Sequence, residues 1–315
     1  MTATLDPISL LLVYSAIIVY VAAFVSYVAD LASQTTKPTR HLVTVGGPPD
    51  GRQVGESRTE TAERPSRASR IGYALTALAG VLHLAAVVIR GIAAARVPWA
   101  NMFEFSITGT ALIIAVFLLV SRRTRIVVLG PVVVGLVVLL LGVATVAFYV
   151  PVIPLPPALQ SAWLVIHVLV ALLATSFFGI AAILSATQLV KARHEKRNAA
   201  SGRPARLLDS IPGTEQLDRL AYRLTIVGFA LWTFTLMAGA IWAGRAWGRY
   251  WGWDVKEVWT FVIWVVYAAY IHAKATRGWH GNRAAWLSIV GFAAVLFNFG
   301  VVNVFFTGLH SYSGL

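Results

Sequence analysis

Residues 126–147 read IVVLGPVVVGLVVLLLGVATVA, without one ionisable side chain. A hydrocarbon layer about 30 Å thick is crossed by roughly 20 apolar residues in a helix, so this stretch predicts a membrane span. Pro131 lies one turn inside it, where a helix start tolerates proline. The whole chain is 58% hydrophobic and 12% charged, with mean hydropathy +0.73; soluble domains carry about 25% charged residues. Seven further stretches qualify as spans: 8–30, 71–94, 104–120, 162–190, 221–243, 259–275 and 284–306. In chain order the third of the eight, 104–120, is short and the fifth, 162–190, long. The expected fold class is therefore all-α, a polytopic membrane protein with about eight transmembrane helices. Residues 1–7 lack the basic segment that opens a secretory signal, and the first apolar run is long enough to span.

The net charge of +13 would suggest a nucleic-acid partner in a soluble protein, but its placement argues against one. Segments 31–70, 121–125, 191–223 and 274–283 hold 21 of the 26 Lys and Arg residues. Arg90, Arg96, Arg245, Arg249 and Lys256 are the other 5. Basic residues mark the cytoplasmic side of a membrane. Both termini are thus expected outside a cytoplasmic membrane, on the same face as the loop after the sixth span. The expected organisation is an N-terminal transmembrane helix at 1–32, a linker at 33–70 and a membrane domain at 71–315 with an outer loop at 244–259. The linker is rich in Gly, Pro, Ser, Thr and Arg, a composition that disfavours a packed core. Residues 191–220 form a second inner loop, with room for a short amphipathic helix. The uncharged segment 148–161, with four prolines, could form a rigid wall on the outer face. The sequence has no cysteine, so it offers no disulfide, thiol relay or CxxCH haem attachment. A ligand must be held non-covalently or by histidine.

The outer loop runs into residues 247–259, WGRYWGWDVKEVW, with four of the eleven tryptophans: Trp247, Trp251, Trp253 and Trp259. Tryptophan offers a large apolar face and one N–H donor. Crowded beside charges, these rings suggest a site for a flat, amphipathic ligand such as a haem, a quinone or a lipid. The plain alternative is an aromatic belt at the bilayer surface, which needs no Asp-x-x-Glu at fixed spacing. Arg245 and Arg249 are candidate partners for ligand carboxylates, because guanidinium matches carboxylate geometry. Asp254 and Glu257 are expected to pair with Lys256 or Arg249 and to cap the next helix. A second outer loop, RVPWANMFEF at 96–105, adds Trp99, Asn101 and Glu104, the last read as a helix-start charge.

His41, His194 and His280 fall in polar inner loops and read as solvated. His167 lies five residues into the fifth span and His310 follows the eighth, both on the face of the Trp-rich loop. Two neutral imidazoles can hold haem iron from opposite faces; the alternative is an interfacial polar residue and a tail residue. His272 lies ~22 Å past Glu257 and His83 ~20 Å past Arg70 at about 1.5 Å per residue. Their depths differ by about 10 Å on that rule, a poor match for two ligands of one iron. His272 is therefore read as a ligand whose partner comes from another subunit. His83 is read first as a packed helix histidine, and as an iron ligand only second.

The stretch WGRYWGWDVKEVW followed by TFVIWVVYAAYIH resembles the tryptophan-rich WWD signature of the haem-handling proteins of cytochrome c maturation. Within that superfamily the chain is similar to the CcsA/ResC family of the system II pathway, named CcsB in some actinobacteria. The tail FNFGVVNVFFTGLHSY at 297–312 and PWANMFE at 98–104 resemble two more family segments, so the likeness covers roughly 71–312. It implies a component of a cytochrome c haem lyase or synthase complex that handles non-covalent haem b in transit. It also implies presentation on the surface of Trp247, Trp251, Trp253, Asp254 and Trp259. His167 and His310 take the outer iron-ligand roles, and His272 that of the transmembrane haem. The implied partners are a ResB-type membrane protein, an apocytochrome c bearing CxxCH and, indirectly, a thiol-reducing system. His83 has no counterpart, and Val255 stands where the family usually has proline. The system I relatives fit less well: the CcmF type is usually much larger, and the CcmC type usually has fewer spans. Two other classes stay open on residues alone: a haem-based electron carrier linked to quinone, and a transporter of lipid-linked substrates without haem.

Overall fold

The computed structural model of the chain describes residues 2–36, 66–124, 126–153, 160–201, 211–306 and 308–309. Its elements are α1 (Thr2–Thr36), α2 (Arg67–Ala94), α3 (Met102–Ser121), α4 (Gly130–Ala147), α5 (Ala162–Ser201), α6 (Thr214–Trp247), α7 (Val255–Arg277) and α8 (Asn282–Phe297). A π-helical turn, Asn298–Val302, then leads into the short α9 (Asn303–Phe305). There is no strand among the described residues. Eight helical runs are long and apolar enough to cross a membrane, matching the eight expected spans one for one. The protein is thus an all-α, multi-pass membrane protein. An even number of crossings puts the start of α1, the Trp-rich loop and the end of the eighth span on one face, called here the Trp-rich face. The opposite, basic face carries most of the Lys and Arg residues.

Most of the expected 33–70 linker lies outside the described residues, as do 154–159 of the proline-rich segment and 202–210 of the second basic-face loop. Of that second loop, the KARHEKR stretch continues α5 without a break to Ser201. Good helix formers follow one another there until Gly202.

Hydrocarbon offers the backbone no hydrogen-bond partner, so helix ends need explicit partners. Ser66 caps α2 by accepting from Ser69 N at 3.0 Å, and Asn101 caps α3 by accepting from Glu104 N at 2.9 Å. Asp254 and Glu257 close a full capping box on α7. At the other ends, Gly248 (φ 71°) and Gly278 (φ 60°) stop α6 and α7 in the left-handed region, where glycine carries no Cβ penalty.

Packing in lipid depends on close approach at small residues. The Tyr27 ring of α1 fills a notch over Gly72 of α2 and Gly130 of α4. Phe178 of α5 and Tyr267 of α7 stack at 3.7 Å, with Gly228 and Gly291 leaving the room for their rings. Beside a small apolar core around Leu164 and Trp242, two large ones result among the described residues. One joins α1 to α4 with parts of α5 and α6; the other joins α5 to α8 around Phe178, Trp232, Ile263, Tyr267 and Val295.

The Trp-rich face of the first core is tied by a buried charge network. Arg90 bonds Asp6 of α1, Glu104 of α3 at 3.1 Å and the Val150 carbonyl at 2.8 Å. Arg96 reaches the other oxygen of Glu104 at 2.6 Å, and that oxygen also accepts from Ala100 N at 3.0 Å. Glu104 is thus a helix-start charge, as expected, and also the centre of an ion network. Arg90 and Glu104 are both fully buried, and removing one partner of such a pair leaves the other charge uncompensated. Glu104→Ala is expected to cost about 3–5 kcal/mol, read as a fall in Tm of the detergent-solubilised protein. An unchanged Tm would remove the network from the account of stability.

The start of α7 yields a prediction of opposite sign. Val255 is its first helical residue, and Asp254 before it sits at φ −58°, ψ 144°. That is the conformation a residue preceding proline adopts, and proline suits the first helical position. Val255→Pro is expected to stabilise the protein by about 0.4–1 kcal/mol by restricting the unfolded chain. A lower Tm would contradict it.

Candidate functional site

Between α3, α5, α6, α7 and the eighth span lies a cavity of about 230 Å³. Its wall along α5 runs from Leu164 to Ser176, which is about 18 Å of helix at 1.5 Å per residue. Trp99, Phe105, Trp232, Trp242, Phe292 and Phe299 supply aromatic wall. The polar groups gather toward the Trp-rich face: His167, Asn101, Lys256, Asn298 and Asn303. The cavity is thus mostly apolar, with hydroxyls along its wall and its charged and amide groups toward one end, a distribution that complements an amphipathic ligand.

Among the described residues, His167 is the only histidine that lines the cavity. Its Nδ1 lies 2.9 Å from the Thr235 carbonyl. A carbonyl can only accept, so Nδ1 carries the proton and Nε2 keeps a free lone pair. A backbone carbonyl holding one ring nitrogen is the usual way a metal-ligating imidazole is oriented. The ring lies nearly parallel to Trp242, 15° between planes with centroids 6.1 Å apart. It also lies against Gly239, where a Cβ would stand 2.7 Å from Cε1. Neighbouring α6 thus supplies a hydrogen-bond acceptor, an aromatic wall and a gap, one turn apart from each other.

The Trp-rich loop rises beside this cavity. Trp247 packs edge-on to Trp242 at 4.7 Å, linking loop to cavity wall. Trp251 and Trp253 meet edge to face at 5.9 Å and are 36% and 77% exposed. Trp253 holds φ at +58°, a region in which a bulky side chain is strained. Trp259 turns inward and packs on Phe297 at 4.3 Å. Glu257 Oε2 accepts from Gly252 N at 2.8 Å and Asp254 N at 3.1 Å. Asp254 accepts from Lys256 N at 2.9 Å and from Leu309 N at 2.8 Å. The two carboxylates cap α7 as expected. They also tie the loop to the chain just before His310, which itself lies outside the described residues.

The remaining candidates sit elsewhere. Arg245 is exposed and lies over the Trp163 ring, 5.6 Å from its centroid; exposed Arg249 folds onto Gly252. Neither lines the cavity. His83 is fully buried on α2, with Nδ1 3.4 Å from the Tyr20 hydroxyl, and it does not line the cavity. His272 is exposed on α7, on a stripe with Phe261, Val265 and Ala269. Lys256, expected to pair with a carboxylate, forms no salt bridge among the described residues. Its ammonium instead bonds the Asn303 side chain. Both Asp254 oxygens and Glu257 Oε2 accept from backbone N–H groups, while the lysine lines the cavity. Asn298 and Asn303 are cavity residues that the sequence reading did not select; Asn101, expected on the outer face, and Lys256, expected as a carboxylate partner, both line the cavity. The available signal was two asparagines inside an otherwise apolar eighth span, since polar residues there are costly and mark sites.

Residues 99–310 match the family model described as cytochrome C assembly protein. A relative from Guillardia theta named cytochrome c biogenesis protein CcsA is 35% identical over 261 residues, covering 78% of this chain and 86% of its own. Its namesake from Prochlorococcus marinus (strain MIT 9303) is 35% identical over 266 residues, with 76% and 82% covered. The namesake from Chlamydomonas reinhardtii is 41% identical over 159 residues, with 50% and 43% covered. The chain belongs to the CcsA family of cytochrome c assembly proteins.

Proposed function

We propose that this protein acts in cytochrome c maturation as the membrane subunit that receives haem b and presents it at the outer, Trp-rich face of the cytoplasmic membrane. There the haem is joined to an apocytochrome c. The observation that carries this reading is His167: its Nδ1–H is spent on the Thr235 carbonyl while the ring lines an amphipathic cavity. Haem, the cargo, has a flat apolar body, an iron that takes imidazole and carboxylates at one edge. The lining has a counterpart for each. His167 and His310 are the iron ligands in this reading, one from the cavity wall and one from the tail that Asp254 anchors through Leu309.

Exposed Trp251 and Trp253 give the edge of the cargo an aromatic surface reachable from outside. Attachment adds a cysteine S–H of the client's CxxCH across a haem vinyl C=C. One C–S bond forms, the proton goes to the other vinyl carbon, and nothing leaves. The presenting chain has no cysteine that could capture the vinyl itself. His272 serves the transit of haem through the bilayer, with the second ligand from a ResB-type partner packed on the exposed stripe of α7.

Replacing both His167 and His310 by Ala is expected to abolish the low-spin haem absorption of the outer site and cytochrome c maturation in cells. Retention of both in the purified double variant and its host would refute the mechanism. Gly239→Ala probes the same ligand without touching it, because the new Cβ takes the space of the imidazole. Haem affinity is expected to fall about 10-fold or more, as when the groups orienting a metal-bound histidine are disturbed. An unaltered spectrum and affinity would show that the ring is not held for the iron.

A further inference from the structure

Lys256 stands in the first turn of α7 and lines the same cavity as His167. Its ammonium is held by the Asn303 side chain oxygen, and among the described residues it forms no salt bridge. Neither neighbouring carboxylate pairs with it: Glu257, the next residue, accepts from Gly252 N and Asp254 N, and Asp254, two residues before, accepts from the backbone of Lys256 and Leu309. An ammonium facing an apolar cavity inside a membrane protein is costly unless an anion pairs with it.

The groups around it have the same character. Asn101 is 5% exposed and lines the cavity. Its Oδ1 accepts the Glu104 N–H at 2.9 Å, which fixes the amide so that Nδ2 is the free end. That Nδ2 has no hydrogen-bond partner among the described residues. The π-helical turn completes the arrangement. Asn298 and Asn303 are five residues apart, so in an α-helix they would face about 140° away from each other at 100° per residue. Bonding of the i→i+5 type lets both line one cavity. The polar end of the cavity thus offers one ammonium and one unspent amide donor, with the lone pair of His167 on the adjoining wall.

We propose that Lys256, with Asn101 beside it, is the receptor for a carboxylate of the bound ligand. On the reading of the cavity as a haem site, on which this inference rests, that group is a haem propionate. Lys256 then acts as a positioning residue: it sets which edge of the porphyrin points to α7 and hence which edge the Trp-rich loop exposes. Arg245 and Arg249, the cations expected to take this role, lie outside the cavity and leave it to the lysine.

The test titrates the full-length, detergent-solubilised protein with iron protoporphyrin IX and with its dimethyl ester, which keeps the iron and loses both carboxylates. The wild type is expected to prefer the free acid. Lys256→Met should weaken free-acid binding about 10- to 100-fold, the scale of one lost charge-assisted hydrogen bond. Its affinity for the ester, and the low-spin spectrum of that complex, should stay unchanged. Lys256→Arg should restore most of the preference. A Lys256→Met protein that favours the free acid as strongly as the wild type does would overturn the proposal. His167→Ala separates this failure from failure of the haem reading: it should weaken acid and ester alike. If it weakens neither, the cavity is not the haem site and the inference falls with that reading.

Discussion

The hydrogen bond from His167 Nδ1 to the Thr235 carbonyl, 2.9 Å long, governs what the cavity can do. It settles the tautomer and fixes the ring plane against Trp242, leaving one nitrogen with its lone pair. The bond exists because α5 and α6 run side by side for most of their length, and because Gly239, one turn beyond Thr235, leaves room for the imidazole. A β-carbon at that single position would move the ring off its acceptor. The site's chemistry therefore rests on helix–helix packing deep in the bundle, not on the loops that decorate it.

A second constraint divides the charges. Helices that start at the edge of a bilayer must have their first N–H groups bonded. Of the three helices that enter from the Trp-rich face beside the cavity, α3 and α7 use an acidic or amide residue followed three positions later by glutamate, and α5 uses Ser161, which accepts from Trp163 N. At α7, both Asp254 oxygens and Glu257 Oε2 accept from the backbone N–H groups of Gly252, Asp254, Lys256 and Leu309. At α3, Glu104 is taken up by Arg90, Arg96 and Ala100. These needs engage the carboxylates nearest the cavity. What is left facing its interior is basic or amide: Lys256, Asn101, Asn298 and Asn303. An anionic edge on the ligand complements that remainder, whereas a neutral lipid tail does not.

The spans could be read from sequence because hydrocarbon imposes a length and a composition that few other environments share. Residues 126–147 needed nothing but their own apolar run. His167 could be proposed from its depth and its face, since a single helix fixes both. Lys256 could not, because its role depends on a competition for its carboxylate neighbours that only folded backbone geometry decides. Asn298 and Asn303 were hidden by an assumed α-helical period, and the π-helical turn that aligns them leaves no pattern at 100° per residue. Arg245 and Arg249, named for their place beside the tryptophans, do not line the cavity. Closeness to the tryptophans in sequence is not closeness to the cavity, and the stop of α6 at Gly248 sends the chain around it.

Helix α7 joins the two parts of the proposed pathway, and its geometry says how they are related. Lys256 and Thr260 face the cavity, while Phe261 and Val265 are exposed in line with Ala269 and His272. His272 is twelve residues beyond Thr260, a rotation equivalent to about 120° at 100° per residue, and about 18 Å further along the axis. One helix thus presents a polar end to the interior cavity and a histidine to the bundle's outer surface, on different faces. A ligand held at His272 and later at His167 has to round α7 rather than slide along it. Within the apolar 18-residue stretch of each span, the buried share is lowest for α7, at 22%, which leaves that side of the helix available. A membrane partner seated there would both complete the coordination at His272 and close the outer wall of the route.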